Sequence, residues 1–396
     1  MVSGARLVGV TASMGRSPIT VCVVGILVAC VLSQLSHGQL GIAATFGFDM
    51  LRIIIYYLLV ITLVDTPERM RSFIRWIVLF TVVLTGLALL HYHGMIQIES
   101  LDAVRQKDID PETGEVRVIP RLCSTGVFND PNDLSTILVL ASIASLFLFE
   151  NTPRGLGRFL WLTPLGIFLY ALKLTFSRGG LINLAVSLLI LCRAKYGWKK
   201  TIGISALGLP AVIVLFAGRQ TSVDVGSTTD TSQQRIQVWA EGLNLFREAP
   251  LFGIGIGNYA DRVELVAHNS YVHTYAELGF FGGTLFVGAF YTGLWGVWRL
   301  GKEGVIIYDR LTMQMRPYIW AMICSYSVGM LSLSRPYTVT TYLVFGVAGA
   351  YLRIADLRAS IAGLRFDSQF VQRLLFVGVA WVVILYMFIR LTVRWK

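Results

Sequence analysis

The sequence predicts an all-α, polytopic integral membrane protein, on three observations. Of its 396 residues, 55% are hydrophobic and 14% charged, with a mean hydropathy of +0.65, more apolar than a soluble domain of this length can bury. The apolar residues fall in continuous runs long enough to cross a hydrocarbon core of about 30 Å. Lys and Arg gather in short segments between those runs, as the positive-inside rule expects. The net charge of +11 is therefore a membrane feature, and nucleic acid is not an expected partner.

Runs at 19–35, 48–64, 74–92, 134–149, 159–176, 181–192, 201–216, 279–298, 318–333, 337–352 and 374–389 give roughly 11–12 transmembrane helices in a single domain covering 1–396. Arg6 and Arg16 precede the first run, which is long and lacks a small-residue cleavage site, so it reads as a retained span and not a signal peptide. With the N-terminus in the cytoplasm, Arg6 and Arg16 and the short inner segments Arg69/Arg71/Arg75, Arg154/Arg158, Arg193/Lys195/Lys199/Lys200, Arg299/Lys302/Arg310/Arg316 and Arg353/Arg358/Arg365/Arg373 together hold more than half of the 34 basic residues. Arg390, Arg394 and Lys396 then end outside, which leaves either a re-entrant last segment or one further span.

Two long outer loops follow, at 93–133 and 218–267. The first holds an acidic, turn-rich stretch around Asp108 to Glu112 and then Phe128-Asn129-Asp130-Pro131-Asn132-Asp133, where Asn and Asp about a proline suit a helix cap. The second carries an amphipathic helix over 232–248, with Ile236, Trp239, Leu243 and Phe246 at helical spacing and Pro250 to stop it. Such a helix can lie on the membrane surface. Four of the five cysteines, Cys22, Cys30, Cys192 and Cys324, lie in or at the ends of apolar runs, and Cys123 is in a loop. No CxxC or His/Cys cluster is present, so neither a disulfide framework, a metal site nor a cofactor is expected.

Three polar signals fall on the outer side. Arg178, in Ser177-Arg178-Gly179-Gly180, sits between two apolar runs, where an Arg needs an interface or an anionic partner, and the glycines allow a close approach. Snorkelling to headgroups is the plainer alternative. Arg235 precedes Trp239 by one helical turn and can grip a phosphate in bidentate fashion, unless it is a solvated charge. His268, followed by Asn269, stands at the mouth of the run beginning at Gly279. A neutral imidazole there suits a general base, while a hydrogen-bonded structural role is the commoner fate of a loop histidine. His273, five positions on, lies off the His268 face. Gly253 to Asn258 departs from the dinucleotide fingerprint, with its third glycine one residue early and no βαβ context, and reads as a turn leading to His268.

His268-Asn269, nine residues, Gly279, two residues and Gly282 resembles the H[N/S/Q]-x9-G-x-x-G signature of the O-antigen ligase and O-antigen polymerase superfamily of bacterial envelope enzymes. The SRGG at Ser177 is similar to that family's arginine at the outer end of a span, and the stretch from Arg235 through Trp239 to Tyr259 to its R-x3-W segment. The resemblance is strongest over 176–283, with an echo at 128–132. It implies a GT-C-like helical glycosyltransferase of the bacterial inner membrane with its site on the periplasmic face. The implied reaction moves a glycan from an undecaprenyl-pyrophosphate carrier to a hydroxyl of a second glycan, either lipid A-core or a growing polysaccharide, without metal and with inversion. By motif match, Arg178 and Arg235 would bind the donor pyrophosphate and His268 would be catalytic, with Asn269, Gly279, Gly282, Ser177 and Trp239 supporting. Polymerisation of an O-antigen or exopolysaccharide is the alternative, because ligase and polymerase share donor chemistry. A small-solute transporter is a third reading, disfavoured by polar candidates that gather at span ends and not at mid-membrane. The short second loop and the chain length depart from many members and from the protein-glycosylating ones.

Overall fold

The computed structural model of the chain describes residues 17–99, 101, 104–109, 116–153, 155–216 and 231–393. Arg6, Arg16, Arg154, Arg394, Lys396, most of the acidic stretch at 110–112 and the opening of the second loop lie outside the described residues.

The architecture is all-α, as the sequence predicts. In chain order the helices are α1 (Pro18–Leu35), α2 (Leu40–Leu63) and α3 (Pro67–Tyr92), then α4 (Pro131–Asn151), α5 (Leu162–Leu174) and α6 (Arg178–Leu215). After the second loop come α7 (Thr231–Glu248), α8 (Asn258–Val263), α9 (Ser270–Arg299), α10 (Arg310–Gly329), α11 (Val339–Asp356) and α12 (Ser368–Thr392). The apolar runs named above fall mostly on these helices, the run at 159–176 spanning a 3₁₀ turn (Leu156–Trp161) and α5, and the run at 318–333 reaching past the end of α10. Among the described residues, seven helices are long and apolar enough to cross a membrane, fewer than the eleven or twelve spans the apolar runs suggest: α1, α2, α3, α4, α6 over Arg178–Gly208, α9 and α12. Large apolar side chains such as Phe80, Val83, Phe376 and Leu391 stand exposed on them, as lipid-facing surfaces do.

Local chemistry sets the breaks. The runs at 181–192 and 201–216 share α6 but are parted at Gly197, whose φ of 75° and ψ of 173° lie outside any helix. Arg193 lies over the ring of Trp198 beside this break, 4.3 Å from its centroid. Pro131 occupies the first turn of α4 and Asp130 caps it, Oδ1 accepting from Asn132 N at 2.7 Å, as the turn chemistry anticipates. Between α3 and α4 the chain forms a hairpin that the loop composition does not announce: β1 (Val104–Ile109) pairs antiparallel with β2 (Val116–Arg121), Val104 opposite Arg121.

The chain divides into two compact units, Met1–Met70 with Asp224–Ile319 and Met330–Lys396, and Arg71–Val223 with Trp320–Gly329. The first is centred on α9, which packs along α1, α7, α11 and α12, while α2 covers α1 and α11. In the second, α4 packs against α5 and α6. Unbroken over its 25 residues, α12 is long enough to cross the bilayer.

Candidate active site

Two of the signature helices begin alike. Ahead of α9, His268 has a left-handed backbone with φ 48°, and Asn269 then turns extended and caps the helix, its Oδ1 accepting from Tyr271 N at 3.0 Å and Val272 N at 3.2 Å. Ahead of α6, Phe176 takes φ 48°, and Ser177 caps, Oγ accepting from Gly180 N at 3.1 Å. A left-handed residue followed by a cap turns the chain sharply into each helix, and the cap side chain takes up first-turn N–H groups.

In the first unit, half-buried His268 lies between Ala267 and Asn269, both fully buried. Its outer neighbour is fixed by Trp239, whose Nε1 donates to Ala267 O at 2.6 Å. Trp239 and Arg235 are four residues apart on α7 and so share a face. That helix is docked, with Val238 and Leu243 buried, Phe246 edge-on to Tyr275 and Tyr259 Oη donating to Val238 O at 2.7 Å. Arg235, Trp239 and His268 are thus carried by directly bonded elements.

The inner side of His268 is fixed by the segment 330–335. Ser270 N donates to Met330 O at 2.8 Å, Ser270 Oγ to Leu333 O at 2.5 Å, and Arg335 N to Ser270 Oγ at 3.0 Å. Arg335 is therefore, with Arg235, a second arginine that the first unit brings to elements bonded about the mouth of α9, and the order of the sequence gives no hint of it.

Gly279 breaks α9 with φ 64° and ψ −164°. The opened turn does not leave its polar groups bare. Ile254 N and Gly255 N donate to Ala276 O and Glu277 O, while Phe280 N and Phe281 N donate to Pro250 O and Leu251 O. The glycine-rich segment is thus docked strand-like on an unwound stretch of helix. A Cβ on Gly279 would stand 2.4 Å from Leu251 C, and one on Gly253 would stand 2.2 Å from Glu277 C. Gly282 has a separate role, facing Ala29 of α1.

Glu277, 1% exposed, accepts at Oε1 from Gly257 N at 2.9 Å and Tyr259 N at 3.1 Å. Its Oε2 stands 3.1 Å from His273 Nε2. A carboxylate buried in a membrane helix is held only where donors meet it. Burial pushes the Tyr259 phenol well above the ordinary tyrosine range, with the Glu277 charge adding to the effect.

In the second unit Arg178 opens α6, half-buried. Ser177 Oγ donates to Asn132 Oδ1 at 2.8 Å, and the same oxygen accepts from Arg121 Nη2 at 3.2 Å. Arg121 Nε donates to Thr175 O at 2.7 Å. Gly180 allows α4 to close in, since a Cβ there would meet Ser135 at 2.6 Å. Arg121, Arg335 and Glu277 are the polar residues of these sites that the sequence reading does not single out. Glu277 carried a signal, a carboxylate two residues before the apolar run, whereas Arg121 is one charge among many in a loop.

The described residues hold no cluster of three or more His, Cys, Asp or Glu placed to share a metal. Residues 163–287, about a third of the chain, match the family model described as O-antigen ligase. Both Arg178 and His268 fall inside that match, which bears out the family resemblance and supports a ligase- or polymerase-like membrane glycosyltransferase. No curated protein matches the chain.

Proposed function

We propose, from the premise that residues 163–287 are those of an O-antigen ligase family member, that the protein transfers a glycan from an undecaprenyl-pyrophosphate carrier to a hydroxyl of lipid A-core at the periplasmic face of the inner membrane. In this reading an imidazole nitrogen of His268 takes the acceptor hydroxyl proton as the oxygen bonds to the anomeric carbon. The bond to the pyrophosphate oxygen breaks in line, inverting the centre. The carrier leaves as an anion, its charge offset by Arg178 and Arg235, so the departing group needs cations and not an acid. The observation that carries the reading is the Trp239 to Ala267 hydrogen bond, which ties the helix of Arg235 to the backbone of His268.

Reconstitution of the purified protein with a lipid-linked oligosaccharide and a lipid A-core acceptor tests it. His268→Ala should lower transfer by about 10²–10⁴ with carrier binding intact. Arg178→Ala and Arg235→Ala should weaken carrier binding instead, and transfer should persist in EDTA. Unchanged carrier binding in both arginine variants removes their role. Chain growth without the lipid acceptor moves the assignment to polymerase, and solute uptake by a vesicle with no glycan transfer moves it to transporter.

A further inference from the structure

At the end of α9 remote from His268, the first unit holds a cavity of about 420 Å³ where the start of α1, the last turns of α9 and α11 and the segment 361–365 come together. That volume lies within the roughly 300–1,000 Å³ of ligand sites. Its lining is mixed in chemistry. Ile19, Ile61 and Leu352 contribute apolar lining, and Arg299, Arg353 and Arg365 line the same cavity.

Two acids, Asp356 and Asp65, stand near these three arginines and leave their charge in excess. Asp356, the one lining carboxylate, accepts from Gly363 N within the wall. Asp65 acts on Arg353 but is paired with Arg69 at 2.8 Å. None of Arg299, Arg353 and Arg365 forms an ion pair with a described residue, and Arg353 Nη1 is buried without a hydrogen-bond acceptor among them. Residues 1–16, which lead into Ser17 at the rim, contain Arg6 and Arg16 and no Asp or Glu. A buried guanidinium N–H without an acceptor is costly, and a tetrahedral oxyanion supplies several acceptors at once.

We propose that this cavity binds the phosphate of an anionic phospholipid, its headgroup on Arg299, Arg353 and Arg365 and its glycerol and first methylenes on the apolar lining. The shared chemistry is a phosphate anion. The apolar lining and the position at the basic ends of membrane helices favour a lipid source over a free ion. The proposal uses no catalytic residue and stands apart from the transfer reaction.

The test is lipid retention by the full-length protein, read by native mass spectrometry and thermal melting, in phosphatidylcholine vesicles with and without phosphatidylglycerol. Wild type should retain phosphatidylglycerol and melt higher with it. The double variant Arg299→Gln/Arg353→Gln should bind it roughly tenfold less. Arg373→Gln, an exposed charge outside the lining, should bind like wild type. Arg353→Lys, which keeps the charge, guards against a folding defect and should retain most of the binding. Equal retention by the double variant, equal loss in Arg373→Gln, or no preference over phosphatidylcholine overturns the site. Inorganic phosphate at matched concentration should not protect; equal protection by it overturns the lipid assignment.

Discussion

His268 carries a backbone conformation that costs a non-glycine residue about 1–2 kcal/mol, with φ at 48°. The residue is half-buried between two neighbours that are themselves fixed by Trp239 and by the Asn269 cap, which hold its backbone in that conformation. Strain held by its surroundings is the mark of a residue kept for its chemistry. His268→Gly should accordingly melt no lower than wild type while losing transfer; a variant that loses both equally shows a structural histidine. Glu277 makes the opposite case, because its carboxylate satisfies two backbone N–H groups of the glycine-rich segment. Glu277→Gln keeps an acceptor oxygen and should fold, whereas Glu277→Leu strands both donors at about 1–3 kcal/mol each. Thermal melting of the two variants in detergent separates them, and equal melting removes the role assigned to the carboxylate.

On the scale of elements, the signature glycines are not interchangeable. Gly279 opens α9 so that residues 250–255 can bond to it, and Gly282 makes room for Leu278 and for Ala29 of α1. Gly279→Ala meets both a left-handed φ and the backbone of Leu251, and should cost about 2 kcal/mol or more. Gly282→Ala should be milder, because it has no left-handed φ and meets side-chain atoms, though its Cβ would press on Leu278 Cβ at 2.3 Å and some repacking is needed. The melting temperatures should therefore rank wild type, Gly282→Ala, Gly279→Ala, and a reversed order refutes the docked-turn account. The spacing from His268 to Gly279 and Gly282 was legible in the sequence, yet its physical meaning was not. A break that exchanges hydrogen bonds with a segment some twenty-five residues upstream is non-local, and Gly253 to Asn258 reads locally as a bare turn. The hairpin of β1 and β2 was hidden for a related reason: its pairing links residues across an acidic turn whose composition signals loop. Helix existence was the easiest layer to read, since a run of apolar residues in lipid has one way to satisfy its backbone.

For the molecule as a whole, the first unit has two chemically distinct ends joined by α9, with the mouth near Ser270 bearing His268 and the far end bearing Arg299 and the basic cavity. Basic segments at one end and the polar signature at the other were both legible from residue positions alone. Arg335 at the mouth was not, because it arrives from sequence some sixty-five residues away through its bond to Ser270. The proposed placement of the mouth in the periplasm rests on the expected inner placement of those basic segments, and it makes a prediction at this scale. Single cysteines at Glu264, exposed beside the mouth, and at Lys302, exposed beyond the end of α9, should react oppositely with a membrane-impermeant maleimide. In intact spheroplasts Glu264→Cys should label at once and Lys302→Cys only after permeabilisation. The native cysteines give little background, because Cys22, Cys30 and Cys123 are buried and Cys192 and Cys324 half-buried. The reverse labelling would place His268 in the cytoplasm, out of reach of a glycan acceptor on the outer face, and would sink the transfer reaction as proposed whatever the variants of His268 show.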